Sequence, residues 1–319
     1  MQNKKFQVIA LGDLVADLIT PIQRLPLQAQ EHQLARDIRL EAGGAGNFLI
    51  LAARLGMAVR AFGVVGSDLY GAEVLRLLAG EGVDIQHIAV PAGSRTTTVM
   101  VLIDDLAQHV FVGMYGTGQS LSFQPEWRGL IEQADALFSS GYGLHPTSPF
   151  SPATLLDCLQ VAAGSHIPIF FDLGPDAVLA DRAHVEAAIA QSTVFLATLE
   201  EALNWTGAGD IAEAAKHLLG QGPELVIIKL GGQGCVIVTP GGRVDLPAFP
   251  VQVVDTAGAG DAFAAAAVYG YLQGLSPEQI GILANAAGAA TAARLGTGTC
   301  LPQRDEIGQL LKRHGHSLL

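Results

Sequence analysis

Apolar residues fall in short blocks closed by glycine or an acid, and most blocks are followed by a helix-length amphipathic segment. Phe6 to Leu11 is the first block, stopped by Gly12-Asp13, and Val59 to Val65 is another, with a helix predicted over Gly71 to Ala79. Farther on, Ile167 to Phe171, Thr193 to Leu196 and Leu225 to Leu230 are short apolar runs bounded by polar residues or glycine. Runs of this length without alternation fit strands buried on both faces. Strand and helix taking turns in this way predict an α/β fold: a doubly wound, mostly parallel central sheet flanked by helices.

Two stretches keep a different period. From Arg36 to Ala42, charged Asp37, Arg39 and Glu41 alternate with Ile38, Leu40 and Ala42, which predicts a strand with one wet face. Thr96 to Ile103, a turn at Asp104-Asp105 and a return from His109 to Val112 predict an antiparallel hairpin. These pieces are expected to form a small separate β-sheet, either a lid over a site or a dimer surface. No internal repeat, low-complexity tract or long linker interrupts the chain, so one unit is expected over 1–319, with lid segments near 14–42 and 95–115.

Composition narrows the partners. The chain has 319 residues, 50% apolar and 15% charged, with 18 basic against 30 acidic residues and a net charge of −12. That field repels phosphate polymers and anionic lipid, so neither nucleic acid nor a membrane surface is an expected partner. Cys158, Cys235 and Cys300 lie far apart with no C-x-x-C pair, which argues against a zinc site or a disulfide framework and for a cytoplasmic setting. Lys4 and Lys5 precede only a short apolar run, Val8 to Leu11, too short for a secretory signal. The longest apolar stretch, Ala262 to Leu272, falls well below the roughly 18 residues a bilayer needs.

Three glycine-containing segments carry candidate chemistry. The first is Asp255-Thr256-Ala257-Gly258-Ala259-Gly260-Asp261, after the run Val251 to Val254 and before a helix predicted from Ala262 to Leu272. Small residues at such a strand-to-helix junction let successive N–H groups turn toward one point, and the helix end adds about half a positive charge. A phosphate nest results, with Asp261 in the first turn as a general-base candidate. The plain alternative is a strand exit and helix cap. No Gly-Lys dipeptide, G-x-G-x-x-G, H-E-x-x-H or G-x-S-x-G occurs, so the P-loop, dinucleotide, zinc-protease and hydrolase signatures are absent.

The second segment is Gly43-Gly44-Ala45-Gly46-Asn47, before a helix predicted from Phe48 to Gly56. Its glycines allow a ligand close to the backbone, and Asn47 offers a donor and an acceptor to a hydroxyl; a tight helix entry capped by Asn47 is the alternative. The third is Gly12-Asp13 with Asp17 four residues on. Carboxylates at the carboxyl ends of strands in open α/β sheets are well placed for sugar hydroxyls.

In order and spacing, these segments resemble the ribokinase-like (PfkB) family of sugar and nucleoside kinases. The resemblance also rests on Gly63-Val64-Val65-Gly66-Ser67-Asp68 with Gly71, on Gly80-Glu81-Gly82-Val83-Asp84, and on Lys229-Leu230-Gly231-Gly232-Gln233-Gly234. It implies ATP-dependent phosphorylation of a hydroxymethyl group on a small, ribose- or fructose-like sugar. Asp261 matches the family's base, and the amides of Gly258, Ala259 and Gly260 its anion hole. Asp13, Gly43, Gly44 and Asn47 match positions holding sugar hydroxyls. Lys229, Gly231 and Gly234 match the ATP loop, and Asn285 the adenine wall. Asp255 matches a ligand of a monovalent cation such as K⁺, with carbonyls near Ala257, Thr291 and Gly296. A homodimer through the lid is also implied.

Two departures qualify the match. Where the family commonly has Asn-x-x-Glu, this chain reads Thr198-Leu199-Glu200-Glu201, so Glu201 remains to hold Mg²⁺ through water while Thr198 replaces the amide. Asp172-Leu173-Gly174-Pro175 lacks the Arg common in the family's sugar-acid kinases, which disfavours a carboxylate-bearing sugar. Two rival readings follow: a nucleoside kinase, with Phe111 or Tyr115 walling the base, or a non-catalytic sugar-binding regulator, prompted by Thr198. Arg95 is a further candidate for phosphate neutralisation. The scattered histidines indicate no metal site; Cys235, Trp127 and Trp205 are expected to pack.

Overall fold

The computed structural model describes residues 5–118 and 120–319; Lys4, part of the amino-terminal reading above, lies outside them. The chain begins with strands Gln7–Leu11 (β1), Leu14–Pro21 (β2) and Arg39–Gly44 (β3), helix Ala45–Arg54 (α1), strand Ala58–Val64 (β4) and helix Leu69–Gly80 (α2). Strands Asp84–Ala89 (β5), Thr97–Ile103 (β6) and His109–Met114 (β7) follow, then Pro125–Glu132 (α3), Ala136–Ser140 (β8), Pro152–Gly164 (α4) and Ile169–Asp172 (β9). Next come Arg182–Gln191 (α5), Val194–Thr198 (β10), Leu199–Thr206 (α6), Ile211–Leu219 (α7) and Leu225–Lys229 (β11). The last elements are Cys235–Thr239 (β12), Gly242–Leu246 (β13), Ala259–Leu272 (α8), Pro277–Ala292 (α9) and Arg304–Arg313 (α10).

Nine strands make the main sheet, in the order β13-β12-β11-β10-β9-β8-β1-β4-β5. It is parallel from β11 to β5, with β12 and β13 antiparallel at one edge. Both faces are covered, which is why the strand runs show no alternation. Val8 and Ala10 face a core shared with α1, α8 and α9, whereas Ile9 and Leu11 face Trp127 of α3 and Leu155 of α4. Ala264, Ala265, Ala266 and Ala267 of α8 are all fully buried. Their small side chains admit this helix to the centre of the molecule on every side, and its amino end therefore opens among other elements.

Four strands form the smaller sheet, ordered β3-β2-β6-β7, with the β6–β7 hairpin antiparallel as predicted. Asp68 ties it to the main body: its carboxylate accepts from Gly71 N–H at the start of α2 (2.9 Å), and from Thr96 Oγ1 (2.6 Å) and Thr96 N–H (3.0 Å) just before β6. A Cβ on Gly66 would fall 2.3 Å from Thr96 N, so only glycine allows this junction.

Three expectations need correcting. The predicted alternation over 36–42 holds at Asp37 and Arg39, both exposed, and at buried Ala42, but fails at two positions: Ile38 is 64% exposed and Glu41 5%. The strand begins only at Arg39, and Glu41 turns inward because Thr299 N–H (2.8 Å) and Thr299 Oγ1 donate to it. Val251 to Val254 is not a strand; its apolar residues find no ladder partner, and the N–H groups of Val254 and Asp255 donate instead to Ala292 O. The helix after Gly43-Gly44 starts at Ala45 with Gly44 as its cap, which removes Asn47 from the capping role.

Because the main strands are parallel, β1, β8, β9, β10 and β11 all end on one side. Gly12-Asp13, Ser140-Gly141, Asp172, Thr198 and Lys229 occupy those ends, where ligands of open α/β sheets bind.

Candidate active site

Gly258 caps α8 in a left-handed conformation (φ 73°), and no side chain accepts a hydrogen bond from the first turn. The leading N–H groups of a helix have no partner within it; here Ala259 N–H donates to Thr256 O at 3.2 Å, which leaves the amides of Gly258 and Gly260 to receive an anion. Asp255, fully buried, holds the loop from below: Oδ1 accepts from Ala257 N–H (2.9 Å) and Oδ2 from Gly296 N–H (2.9 Å).

Asp261 follows in that first turn. Its Oδ2 accepts from Asn47 Nδ2 at 3.0 Å, and Asn47 Oδ1 accepts from Gly298 N–H at 2.8 Å, which fixes the amide's orientation. Burial pushes the Asp261 carboxyl up to about 6; the Asn47 bond and Lys229 oppose this, and the Asp172 charge adds to it.

Beside them, the glycine pair brings β3 against β2. A Cβ on Gly44 (φ 57°) would fall 2.6 Å from Asp13 O, and one on Gly43 would fall 2.0 Å from Asp17 Oδ2. The Asp17 carboxylate therefore lies on Gly43. It accepts from Thr297 Oγ1 at 2.8 Å, and burial pushes it up to about 7, with the charges of Asp261, Glu41 and Asp255 adding to the effect against that hydrogen bond. Asp13 is buried as well, and its Oδ1 accepts from Ser148 Oγ at 2.6 Å.

On the other flank, Lys229 Nζ donates to Asp172 at 2.6 and 2.8 Å. A Cβ on Gly260 would lie 3.7 Å from that nitrogen, so the ammonium stands against the first turn of α8. Burial alone would pull Lys229 down, but the carboxylates of Asp172, Glu201 and Asp261 outweigh it and raise the group above its ordinary value. Thr198 and Glu201 form a capping box on α6: Thr198 Oγ1 accepts from Glu201 N–H (3.3 Å), and Glu201 Oε2 accepts from Thr198 N–H (2.8 Å).

Asp13, Gly43, Gly44, Asn47, Gly258 and Asp261 thus meet in one place, with Lys229 next to Gly260. Gly234 and Asn285 converge elsewhere, on the exit of β13. A Cβ on Gly234 would fall 2.0 Å from Leu246 O, and Asn285 Nδ2 donates to Pro247 O at 3.1 Å. Gly231 is exposed with open space at its Cα. Arg95 is also exposed, its backbone paired with Thr117. Among the described residues no three His, Cys, Asp or Glu side chains are grouped to hold a metal ion, and no helix is long and apolar enough to cross a membrane. A cleft of ≈ 560 Å³ between the tip of the smaller sheet and Gln252, Val253 and Val254 has none of Asp13, Asn47 or Asp261 in its lining.

Sequence reasoning passed over three contributors. The turn Gly296-Thr297-Gly298-Thr299, of which only Gly296 is named above and for its carbonyl, supplies donors to Asp255, Asp17, Asn47 and Glu41; its alternating glycine and threonine was the available signal. Ser148 had no signal, and Asp172 was read only as a departure rather than as the partner of Lys229.

Fold and site together define a phosphotransferase built on the ribokinase fold. The chain belongs to the pfkB family of carbohydrate kinases, whose family model matches residues 5–304, and it is an ATP-dependent sugar or nucleoside kinase. It is similar to the ATP-dependent ribose-1-phosphate kinase of Halopiger xanaduensis, 28% identical over 96% of this chain and 98% of that one. It also resembles the nucleoside kinase of Methanothermobacter thermautotrophicus, 25% identical over 96% and 94%. In fold it matches the Arabidopsis thaliana ribokinase solved with ribose and ATP, with a TM-score of 0.82 at 20% identity, covering 97% of this chain and 99% of that one.

Proposed function

We propose that this protein transfers the terminal phosphoryl group of ATP to a hydroxymethyl group of a small ribose- or fructose-like sugar. The observation that carries the reading is a glycine-lined helix end with no side-chain cap and a half-buried carboxylate in its first turn, that carboxylate held by an amide from a second helix. With a pKa of about 6, Asp261 is ionised at neutral pH and still basic enough to take the hydroxyl proton, the compromise a general base requires. The amides of Gly258 and Gly260, on either side of Ala259, are preorganised donors for charge on the moving group. Asp13, Gly43, Gly44 and Asn47 hold and orient the sugar. Lys229, Gly231, Gly234, Asn285 and Thr198 serve the nucleotide side, Gly234 and Asn285 by bracing the loop at Leu246-Pro247.

Mg²⁺ keeps most of its waters and needs only one or two carboxylates besides the phosphates. Glu201 fits that need, since one of its oxygens is left outside the capping box. When bound, the metal supplies positive charge to the phosphates. Asp255 suits a monovalent cation such as K⁺: it is fully buried, receives only amide donors and forms no ion pair among the described residues. The smaller sheet acts as the lid over 14–42 and 95–115 that excludes water, and its outer edge joins two copies. A cytoplasmic setting accords with Cys158, Cys235 and Cys300 all being free.

A nucleoside acceptor is the second reading. Tyr115 stacks on His145 with centroids 4.5 Å apart and planes at 14°, and His145 begins the turn whose Ser148 holds Asp13. An aromatic plate therefore stands beside the proposed sugar site. ADP release measured with ribose, fructose, sugar acids, adenosine and inosine, with and without K⁺, separates the readings. Turnover of a free pentose or hexose is expected, and preference for nucleosides would overturn it in favour of the second. No ADP release with any acceptor would leave a sugar-binding regulator.

A further inference from the structure

Seven carboxylates converge on this region: Asp13 after β1, Asp17 on β2, Glu41 on β3, Asp172 on β9, Glu201 on α6, and Asp255 and Asp261 around the start of α8. Among the ion pairs of the described residues, the one that engages Asp17, Glu41, Asp172, Glu201, Asp255 or Asp261 is that of Lys229 with Asp172. A nucleoside triphosphate brings still more negative charge, so the protein's own cation here is a scarce group with competing claimants.

The geometry defines the competitors. The sheet order β11-β10-β9 sets Lys229 and Asp172 two strands apart, so their contact spans the end of β10 above Thr198. The two side chains are 13% and 10% exposed. A buried ammonium without a counter-ion is costly, so Asp172 holds Lys229 charged and extended while no ligand is bound. The same nitrogen lies within van der Waals reach of a Cβ at Gly260, beside the amides that receive the phosphoryl group in the reading above.

Resting on that reading, we propose that Lys229 alternates between two anions, Asp172 in the nucleotide-free protein and the terminal phosphoryl group of bound ATP. Asp172 is then a positioning residue that sets affinity for the triphosphate by competing for the ammonium. In the transfer step the sugar oxygen forms its bond to phosphorus, the hydroxyl proton passes to Asp261, and the bond from phosphorus to the ADP oxygen breaks, with ADP carrying away that electron pair. Lys229 remains protonated throughout and exchanges only its hydrogen-bond partner.

The test needs no acceptor sugar. Titration calorimetry with Mg²⁺ compares AMP-PNP, which has the terminal phosphoryl group, with ADP, which lacks it. Asp172→Asn removes the competitor, and AMP-PNP is expected to bind about 3- to 10-fold tighter. Lys229→Met removes the cation, and AMP-PNP is expected to bind at least about tenfold weaker. ADP affinity changes less than AMP-PNP affinity in both variants, because the terminal phosphoryl group that competes with Asp172 is the one ADP lacks. Lys229→Met leaves Asp172 buried and unpaired, so the double variant Lys229→Met/Asp172→Asn guards against misfolding and should match the weak AMP-PNP binding of the single change. A purely structural ion pair predicts loss in the same direction for both single variants, with ADP and AMP-PNP affected alike, and that result overturns the proposal. If the unaltered protein binds neither nucleotide, the kinase reading fails instead.

Discussion

Burial pushes Asp261 up to about 6 from the ordinary 3.8, and the sign of that shift makes the side chain destabilising under the conditions where it works. Below about pH 4 the group is protonated in both folded and unfolded chains and costs nothing. Between about 4 and 6 the unfolded chain releases the proton while the folded protein keeps it, so stability falls as pH rises. Above 6 the full cost applies, on the order of 3 kcal/mol at about 1.4 kcal/mol per pKa unit. Asp261→Asn keeps an oxygen to accept from Asn47 and removes the charge. Turnover is expected to drop about 10² to 10⁴-fold, the usual worth of a general base. Thermal melts should show the variant more stable than the parent at pH 7.5, with the gain vanishing near pH 4. Retained turnover, or a gain equal at both pH values, would remove Asp261 from the role of base.

At the scale of elements, the β2–β3 pair separates binding from folding. Glu41 pairs with Asp17, and Gly43 with Val15, yet the Asp17 carboxylate bends over Gly43 so closely that a Cβ there would fall 2.0 Å from it. The atom in the way is the end of a side chain rather than backbone, so Gly43→Ala can be accommodated by displacing Asp17 alone. The melting temperature should fall by only a few degrees, a loss on the order of 1 to 3 kcal/mol from crowding, while KM for the sugar rises about tenfold, equivalent to 1.4 kcal/mol. A melt as damaged as the kinetics would mean that the pair is structural.

How much of this was legible in the chain follows from the reach of each signal. Strands β1, β9, β10 and β11 were visible because burial on both faces leaves a mostly apolar run, and β4 was visible despite Arg60, which pairs with Asp84 at the sheet's end. Leu14–Pro21 was hidden for the opposite reason, since it buries Asp17 and Thr20 among its apolar residues and shows no clean period. Gly44 and Gly258 could be named because a positive φ at a helix start demands glycine, whereas Gly43, Asn47 and Asp261 were named from the order and spacing of the family's segments. The bond from Gly298 to Asn47 spans 251 positions and that from Lys229 to Asp172 spans 57. Neither leaves a local trace: the first joins a turn to a helix far apart in sequence, and the second exists only once β9 and β11 end on one side.

At the scale of the molecule, the smaller sheet leaves an edge unexplained by a single chain. β7 closes the order β3-β2-β6-β7, so one side of its backbone is unpaired within the sheet. Val110, Val112 and Met114 on one face are 43%, 59% and 42% exposed, and Phe111 on the other is 54% exposed. Soluble proteins commonly protect such an edge with charges, proline or a covering segment, and apolar surface left open on both faces marks an interaction site. A second copy would supply the missing cover, by pairing edge to edge or by packing sheet on sheet. Light scattering should therefore give twice the 33.2 kDa chain mass. Val112→Lys, a charge placed on the exposed edge, should return a folded monomer, and its KM for the sugar should rise if the smaller sheet is the proposed lid. A parent protein that runs as a monomer at micromolar concentration, or a Val112→Lys variant that remains dimeric, would show that β7 is covered by something other than a second copy of itself.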